Sequence, residues 1–410
     1  MSSAIILYVD EMLWAADSEG EKLIARMLTE LEVGETFSLS PGNDVEFLGT
    51  TITQDKRGSV GLHMNEFLKK LEEVKIPKVI KDGKFAMAKC RLETLARQIA
   101  GTLLWVGKLH FNIRFDLTIL IATIRQFTLS TENAKLFLLR SNRAIRDLRS
   151  RLGIFWYRDF LGNTVRTLSN LKSMMILFLF TDAGYASLAE SKFTREFLIS
   201  FGIVVTKGGI LSCSAWLHTT CSGEISQVAR SSLAAEAISL ANGIDCLQWT
   251  RVYWYEVLYG ELAHQFIISP DQFPLQTPFR QCMVTGGPEP TDIPIWCAYG
   301  ETSGRVNMNQ VREDYRAITD DDIDSRRIRA IALTDCSDAY ASVSSISDNS
   351  NDRSMRIVLS YIRDSAPNMR LSFLGECFNL ADVATKLYGS RGIYHHFVRT
   401  GCLQIFFPWP

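Results

Sequence analysis

Apolar positions along the chain fall into two textures, and the change comes near residue 171. Before it, apolar residues mostly recur at spacings of three and four. Leu23, Ile24, Met27, Leu28 and Leu31 predict an amphipathic helix over residues 18–31. A short helix is predicted over 65–74, and longer helical regions over 92–127 and 130–152. Strands are predicted at 45–53 and 59–63, with a Lys56-Arg57-Gly58 turn between them. The opening run AIILYVDEMLWA reads as an apolar strand broken by Asp10 and Glu11. Domains rarely open inside a buried strand, so further chain is expected upstream.

After residue 171 the apolar runs become continuous. MMILFLFTDAGYAS reads as a buried strand ending in Thr181-Asp182, and residues 328–334 give a second apolar strand that also ends in Thr-Asp. Residues 197–205 and 210–217 predict two strands joined at Lys207-Gly208-Gly209 as a hairpin. A helix over 353–362, a strand over 370–374 and a helix over 380–387 complete the pattern. Between the Thr-Asp strands lies a long helical stretch, residues 227–258, with Ser231 or Ser232 as its N-cap. Leu233, Ala237, Leu240, Ile244 and Leu247 form its apolar stripe, and Glu236 sits at the edge of that stripe. A carboxylate facing a core is costly unless something charged or hydrogen-bonding meets it. A capping box does not explain Glu236, because from Ser232 the spacing is four rather than three.

The pattern breaks down over residues 260–327, which hold six of the chain's 11 prolines and an acidic run at Asp320, Asp321, Asp322 and Asp324. Such a length without periodicity inside a compact domain is unusual. It is read as a surface excursion, with disorder or a gene-model artefact left open. The acidic run lacks calcium-loop spacing and reads as a solvated loop.

Composition narrows the class. The 410 residues suffice for two or three domains, and 47% apolar with 22% charged residues describes a globular chain. With 44 basic and 45 acidic side chains the net charge is -1, so a nucleic-acid surface has to be local. Arg140, Arg143, Arg146, Arg149 and Arg151 read chiefly as a solvated helix face, with phosphate contact as the alternative. Nine cysteines without a C-x-x-C pair argue for a reducing compartment, against a disulfide framework or zinc site. No apolar run reaches membrane-span length and the N-terminus lacks a basic signal region, so an intracellular, cytoplasmic or nuclear protein without membrane partners is expected.

Four acids stand in unusual places: Asp182 at a strand end, Glu236 on the next helix, Asp335 at a later strand end and Asp382 on a terminal helix. For any one of them a turn or cap is the simpler reading. Together, carboxylates at neighbouring buried strand ends repel one another unless a cation lies between them. Hard oxygen donors suit magnesium, with manganese as the alternative, and a pair of such ions serves phosphodiester hydrolysis. Asp338 competes with Asp335, and the Thr-Asp pairing favours Asp335.

The segments TDAGYAS (residues 181–187), VARSSLAAEA (228–237), LTDCSDAYAS (333–342) and NLADVATKL (379–387) resemble the ribonuclease H domain of copia-type LTR retrotransposon Pol polyproteins. The second is the most specific, through its S-S-x-x-A-E pattern. That resemblance implies an α/β fold with a ribonuclease H-like mixed five-stranded sheet and flanking helices. It also assigns catalytic and metal-binding roles to Asp182, Glu236, Asp335 and Asp382. The implied reaction is magnesium-dependent hydrolysis of the RNA strand of RNA–DNA hybrids. The sequence departs from relatives in its insertion and in lacking histidines before the last strand (DRSMRIVLSYIRD).

The first half resembles the same family. LYVDEMLWAAD (residues 7–17), FLG (47–49), LHMNEFLKKL (62–71) and ARQIAGTLLWVGKLHFNIRFDL (96–117) follow the palm hairpin and connection of copia-type reverse transcriptases. Arg114 and Asp116 keep part of an R-P-D signature. The implied organisation is a truncated α+β palm and connection region at 1–150, a nuclease domain at 171–259 and 328–390, and the insertion at 260–327. Asp10 and Glu11 form a degraded polymerase motif: a palm needs a further upstream aspartate, and Glu in place of the second Asp shifts the ligand oxygens. Polymerase activity is therefore not expected from this chain alone; the missing N-terminal part of Pol acting in trans is the partner that would restore it. An active element would place the chain in a virus-like particle. The competing expectation is a catalytically inactive remnant that folds and binds nucleic acid.

Overall fold

The computed structural model describes residues 3–8, 11–31, 35–75, 89–110, 113–124, 127, 130–150, 152–157, 175–184, 193–207, 210–225, 229, 231–259, 281–285, 328–344, 353–365, 369–374, 379–385, 397 and 403–406. In it the opening apolar run folds back on itself. Strands β1 (Ser3–Tyr8) and β2 (Glu11–Ala16) pair antiparallel, with Tyr8 opposite Glu11. Asp17 caps helix α1 (Ser18–Glu30), its carboxylate accepting from the backbone N–H groups of Glu19 and Gly20.

The strand expected over 45–53 is instead a hairpin of β3 (Val45–Phe47) and β4 (Thr50–Gln54). The chain reverses at Leu48 and Gly49, with φ of 50° and 67°, the positive pair a two-residue turn requires. An apolar leucine at the first of these positions hid the turn. β5 (Val60–His63) and β6 (Phe155–Tyr157) complete a four-stranded antiparallel sheet. Helix α2 (Asn65–Lys70) stops short of the expected residue 74, because the Asn142 side chain takes both the N–H and the C=O of Val74 at 2.7 and 3.0 Å. The region expected over 92–127 divides into α3 (Lys89–Val106) and α4 (Arg114–Thr123), followed by α5 (Thr131–Ser150). Met64, Leu68, Leu103, Leu117, Leu120, Phe137 and Leu148 lie in one core beneath these helices. Arg143, Arg146 and Arg149 are exposed on the outer face of α5, as a solvated arginine face requires, while Arg151 lies outside the described residues.

In the second half, β7 (Met175–Gly184) is buried at every position. It pairs antiparallel with β8 (Thr194–Lys207), which pairs antiparallel with β9 (Ile210–Glu224), Lys207 opposite Ile210, as the hairpin expected at Lys207-Gly208-Gly209 requires; Gly208 and Gly209 lie outside the described residues. Both strands run well beyond the predicted limits. Helix α6 (Ser232–Tyr259) follows, with Ser231 as its cap: the Ser231 Oγ accepts from the Ala234 N–H at 3.1 Å. Ala237, Leu240, Ile244 and Leu247 of the predicted stripe are fully buried against the sheet. At Gly243 the helix comes so close that an added Cβ would stand 2.9 Å from both Leu179 and Thr181 side chains.

Most of residues 260–327, including the acidic run, lies outside the described residues. One part corrects the expectation of a stretch without regular structure: β10 (Gln281–Thr285) is a strand. β11 (Arg329–Thr334) runs parallel to β7, and α7 (Ser337–Ser344), a helix the pattern did not predict, follows it. α8 (Arg353–Ser365), β12 (Arg370–Leu374, parallel to β11), the single-turn α9 (Asp382–Thr385) and β13 (Leu403–Phe406) complete the chain.

The second half is therefore mixed α/β around five strands in the order β9-β8-β7-β11-β12, antiparallel on one side of β7 and parallel on the other. β13 pairs with β9, and β10 pairs with both β13 and β12, so these two strands cover both sheet edges and close the seven into a ring. Alternate residues of β7 feed two cores, as the strand period demands. Leu177 and Leu179 pack toward α6, whereas Phe178 and Phe180 pack on the opposite face with Leu380, Val383 and Phe397. Phe155 of β6, from the first-half sheet, enters that second core edge-on to Phe397 at 5.3 Å. Among the described residues no helix is long and apolar enough to cross a membrane.

Candidate metal centre

The two Thr-Asp strand ends coincide because β7 and β11 are adjacent and parallel, with Thr334 opposite Thr181. Ligand sites in α/β sheets gather at the carboxyl ends of parallel strands, and both aspartates stand there. Asp182 occupies the same side of β7 as Phe178 and Phe180, away from α6. It is 1% exposed. Its Oδ2 accepts from the Thr385 hydroxyl, and its backbone carbonyl accepts from Ser239 Oγ at 2.8 Å. The same hydroxyl reaches the Glu196 carbonyl at 3.2 Å, fastening α6 across β7 and β8.

Asp335 follows β11 where the chain turns into α7. Cys336 forms this turn: its N–H donates to Thr334 Oγ1, its Sγ accepts from the Ala339 N–H, and its carbonyl accepts from the Tyr340 N–H. The turn separates the two candidate acids. Asp335 is half-buried toward Asp182, while Asp338 is exposed on the first turn of α7.

Asp382 is delivered by a short segment with its own anchor. Asn379 donates from Nδ2 to the Thr181 carbonyl at 2.9 Å and accepts the Ala381 N–H on Oδ1 at 3.1 Å. Buried Leu380, Ala381 and Val383 hold the turn in the core, leaving Asp382 5% exposed beside Asp182.

One ligand oxygen from each of Asp182, Asp335 and Asp382 lies within 4.8 Å of the others. Three carboxylates this close, two of them buried, repel unless a cation compensates them. The donors are all hard oxygens, a set that could hold a metal ion and that suits a hard cation rather than a thiophilic one. Three of the four acids expected from the sequence are thus brought together in the structure. Glu236 is half-buried on α6 but stands outside the 4.8 Å group. Its charge acts on Cys336, the residue after Asp335. Burial first, then the charges of Glu236, Asp338 and Asp335, together raise that thiol to about 11 against the lowering effect of the Ala339 N–H.

A further acid escaped sequence reasoning. Glu196 is the cross-strand partner of Asp182, on the same face of the sheet, and is fully buried. Burial pushes its carboxyl well above the usual range; the Arg114 guanidinium and the Ser222 hydroxyl act against this, while the Asp182 charge adds to it. The available signal was Arg195-Glu196 opening an otherwise apolar run, but only the strand register puts Glu196 beside Asp182.

The first-half acids differ. Asp10 lies outside the described residues. Glu11 is exposed, and its Oε2 accepts the Leu48 N–H at 2.8 Å, in the tight turn between β3 and β4. No protein-family model and no curated protein sequence matches this chain.

Proposed function

We propose that the second half is a divalent-metal-dependent nuclease of the ribonuclease H type, hydrolysing the RNA strand of RNA–DNA hybrids. The observation that carries this is the convergence of Asp182, Asp335 and Asp382 within 4.8 Å at the ends of two adjacent parallel strands. The sheet is compatible with it, since the resemblance implies a mixed five-stranded sheet and β9-β8-β7-β11-β12 is a mixed sheet. Magnesium or manganese bound by these aspartates would activate a water and stabilise the leaving oxygen of a phosphodiester. The chain's own part is to keep the carboxylates converged. Thr385 orients Asp182, Asn379 ties the Asp382 turn to β7, and the Cys336 turn aims Asp335 inward while Asp338 stays outside. Glu236, half-buried on α6, would be the fourth carboxylate to hold the ion.

A second reading, a non-catalytic remnant that folds and binds nucleic acid, is favoured by one observation: Glu236 stands outside the group. Cleavage of a labelled RNA–DNA hybrid with magnesium decides between them. The nuclease cleaves, and Asp182→Asn and Glu236→Gln each abolish cleavage; the remnant binds the hybrid and leaves it intact. The Glu11 carboxylate is engaged by the Leu48 amide, and we propose no polymerase activity from this chain alone. Primer extension on an RNA template by the purified protein would overturn that.

A further inference from the structure

Helix α5 of the first half carries charge for which the acid group has no use. One side of it is core: Ala134, Phe137, Leu138, Ala144, Ile145 and Leu148 are buried. The opposite side is basic. Lys135, Arg143, Arg146 and Arg149 are exposed and Arg140 is half-buried, against two acids on the whole helix, Glu132 and Asp147. Stability does not ask for this arrangement, because like charges one turn apart on a helix repel. The helix dipole accounts for a cation in the last turn, Arg149, but not for Arg140 or Arg143. Of the four arginines only Arg146 is ion-paired among the described residues, with Glu73 at 2.7 Å. With a net charge of -1 over the whole chain, the row is a local concentration and not part of a general positive surface. Residues 140 to 149 rise about 14 Å along the helix axis. One strand of a duplex carries a phosphate about every 3.4 Å of its own axis, so the row spans several. Guanidinium groups are planar, permanently charged donors that match phosphate oxygens.

We propose that the outer face of α5 is a docking surface for the phosphate backbone of nucleic acid, held by Arg143 and Arg149, with Arg146 exchanging its exposed and therefore weak pair for phosphate. This rests on reading the chain as acting on RNA–DNA hybrids, and it gives the first half a share in holding the hybrid. α5 packs on α4, and α4 packs on α9, the turn that carries Asp382. The basic side faces away from that packing, so the phosphates it takes lie outside the acid group and the arginines are not catalytic residues. Phosphate contacts fix position and carry no base information, so the surface sets affinity and not sequence preference.

The test is binding of a labelled RNA–DNA hybrid by the full chain in metal-free buffer, from about 50 to about 200 mM salt. The variants are Arg143→Gln, Arg149→Gln, the double variant and Arg143→Lys, with Arg26→Gln on exposed α1 as a control for the same charge change elsewhere. Each single Gln variant is expected to reduce the slope of log affinity against log salt by roughly 1, and the double variant by roughly 2, equally on hybrids of different base sequence. Arg143→Lys keeps the charge and the slope, and Arg26→Gln leaves the slope unchanged. Tm stays near the parent, since these side chains are exposed and Gln forms helix about as well as Arg. Slopes unmoved by the α5 variants, or moved as far by Arg26→Gln, would overturn the surface, and so would a parent chain that does not bind the hybrid. Cleavage is read separately with magnesium. Binding with the expected slopes and no cleavage by the parent would sink the nuclease reading and leave the surface standing.

Discussion

The chain presents acids at the ends of strands twice, and the two cases differ in what surrounds them. At β7 and β11 the aspartates close continuous apolar strands that are covered on both faces, so burial concentrates their charge, and Thr385 and the Cys336 turn set their direction. At the β1–β2 hairpin, Ile5, Ile6 and Leu7 are 45%, 52% and 72% exposed, and Glu11 is occupied by a backbone amide. A carboxylate in water costs little to keep and gains little from a cation, whereas converging buried carboxylates gain a great deal. Sequence position alone, an acid after an apolar run, does not distinguish them; the strands around each acid do.

The largest expected effect separates the two regions directly. Asp182→Asn or Asp335→Asn is expected to reduce hybrid cleavage on the order of a hundredfold or more, and Glu11→Gln to leave it unchanged. A cleavage assay in which Glu11→Gln is as damaging as Asp182→Asn would erase the distinction.

The first half carries its own pH sensitivity. His110 is buried, and burial lowers its pKa from 6.5 to about 4. The unfolded chain therefore binds the proton more readily between these values, so stability is full above the unfolded pKa and declines as pH falls toward 4. The loss is expected to reach about 3 kcal/mol, read by denaturant unfolding between pH 7 and pH 4. His110→Gln should remove most of that slope; an unchanged slope would assign it to other groups.

One substitution is expected to act with opposite signs in the two halves. Gly243→Ala would press a methyl against Leu179 and Thr181 and cost about 1–3 kcal/mol. Gly101→Ala, in α3, meets nothing within 4 Å and should stabilise by about 0.5–1 kcal/mol. Equal signs would mean that α6 is not seated on β7 as closely as described. The smallest effect belongs to the surface. The Arg146–Glu73 ion pair, 2.7 Å apart with side chains 58% and 41% exposed, should contribute less than about 0.5 kcal/mol on Arg146→Ala.

Much of this was legible in the sequence where the determinant is local. The apolar runs before Thr181-Asp182 and Thr334-Asp335 gave two strands, and the spacing of Leu240, Ile244 and Leu247 gave the buried stripe of α6. What stayed hidden depends on pairing with distant chain. Leu48 turns although it sits in an apolar run, because β4 pairs back onto β3. β10 and β13 are strands because the edges of β12 and β9 are there to be paired. Glu196 meets Asp182 through a register set across the whole length of β7 and β8. The fourth acid, Glu236, has the periodicity of a core-edge residue and is half-buried on α6, outside the 4.8 Å group.

The most direct test of the contrast between the regions is a calorimetric Mn2+ titration of the full chain, its Asp182→Asn variant and its Glu11→Gln variant. Saturable binding by the parent and by Glu11→Gln, abolished in Asp182→Asn, is the expected result. Binding that survives in Asp182→Asn and is lost in Glu11→Gln, or no binding by the parent, would contradict a metal centre in the second half.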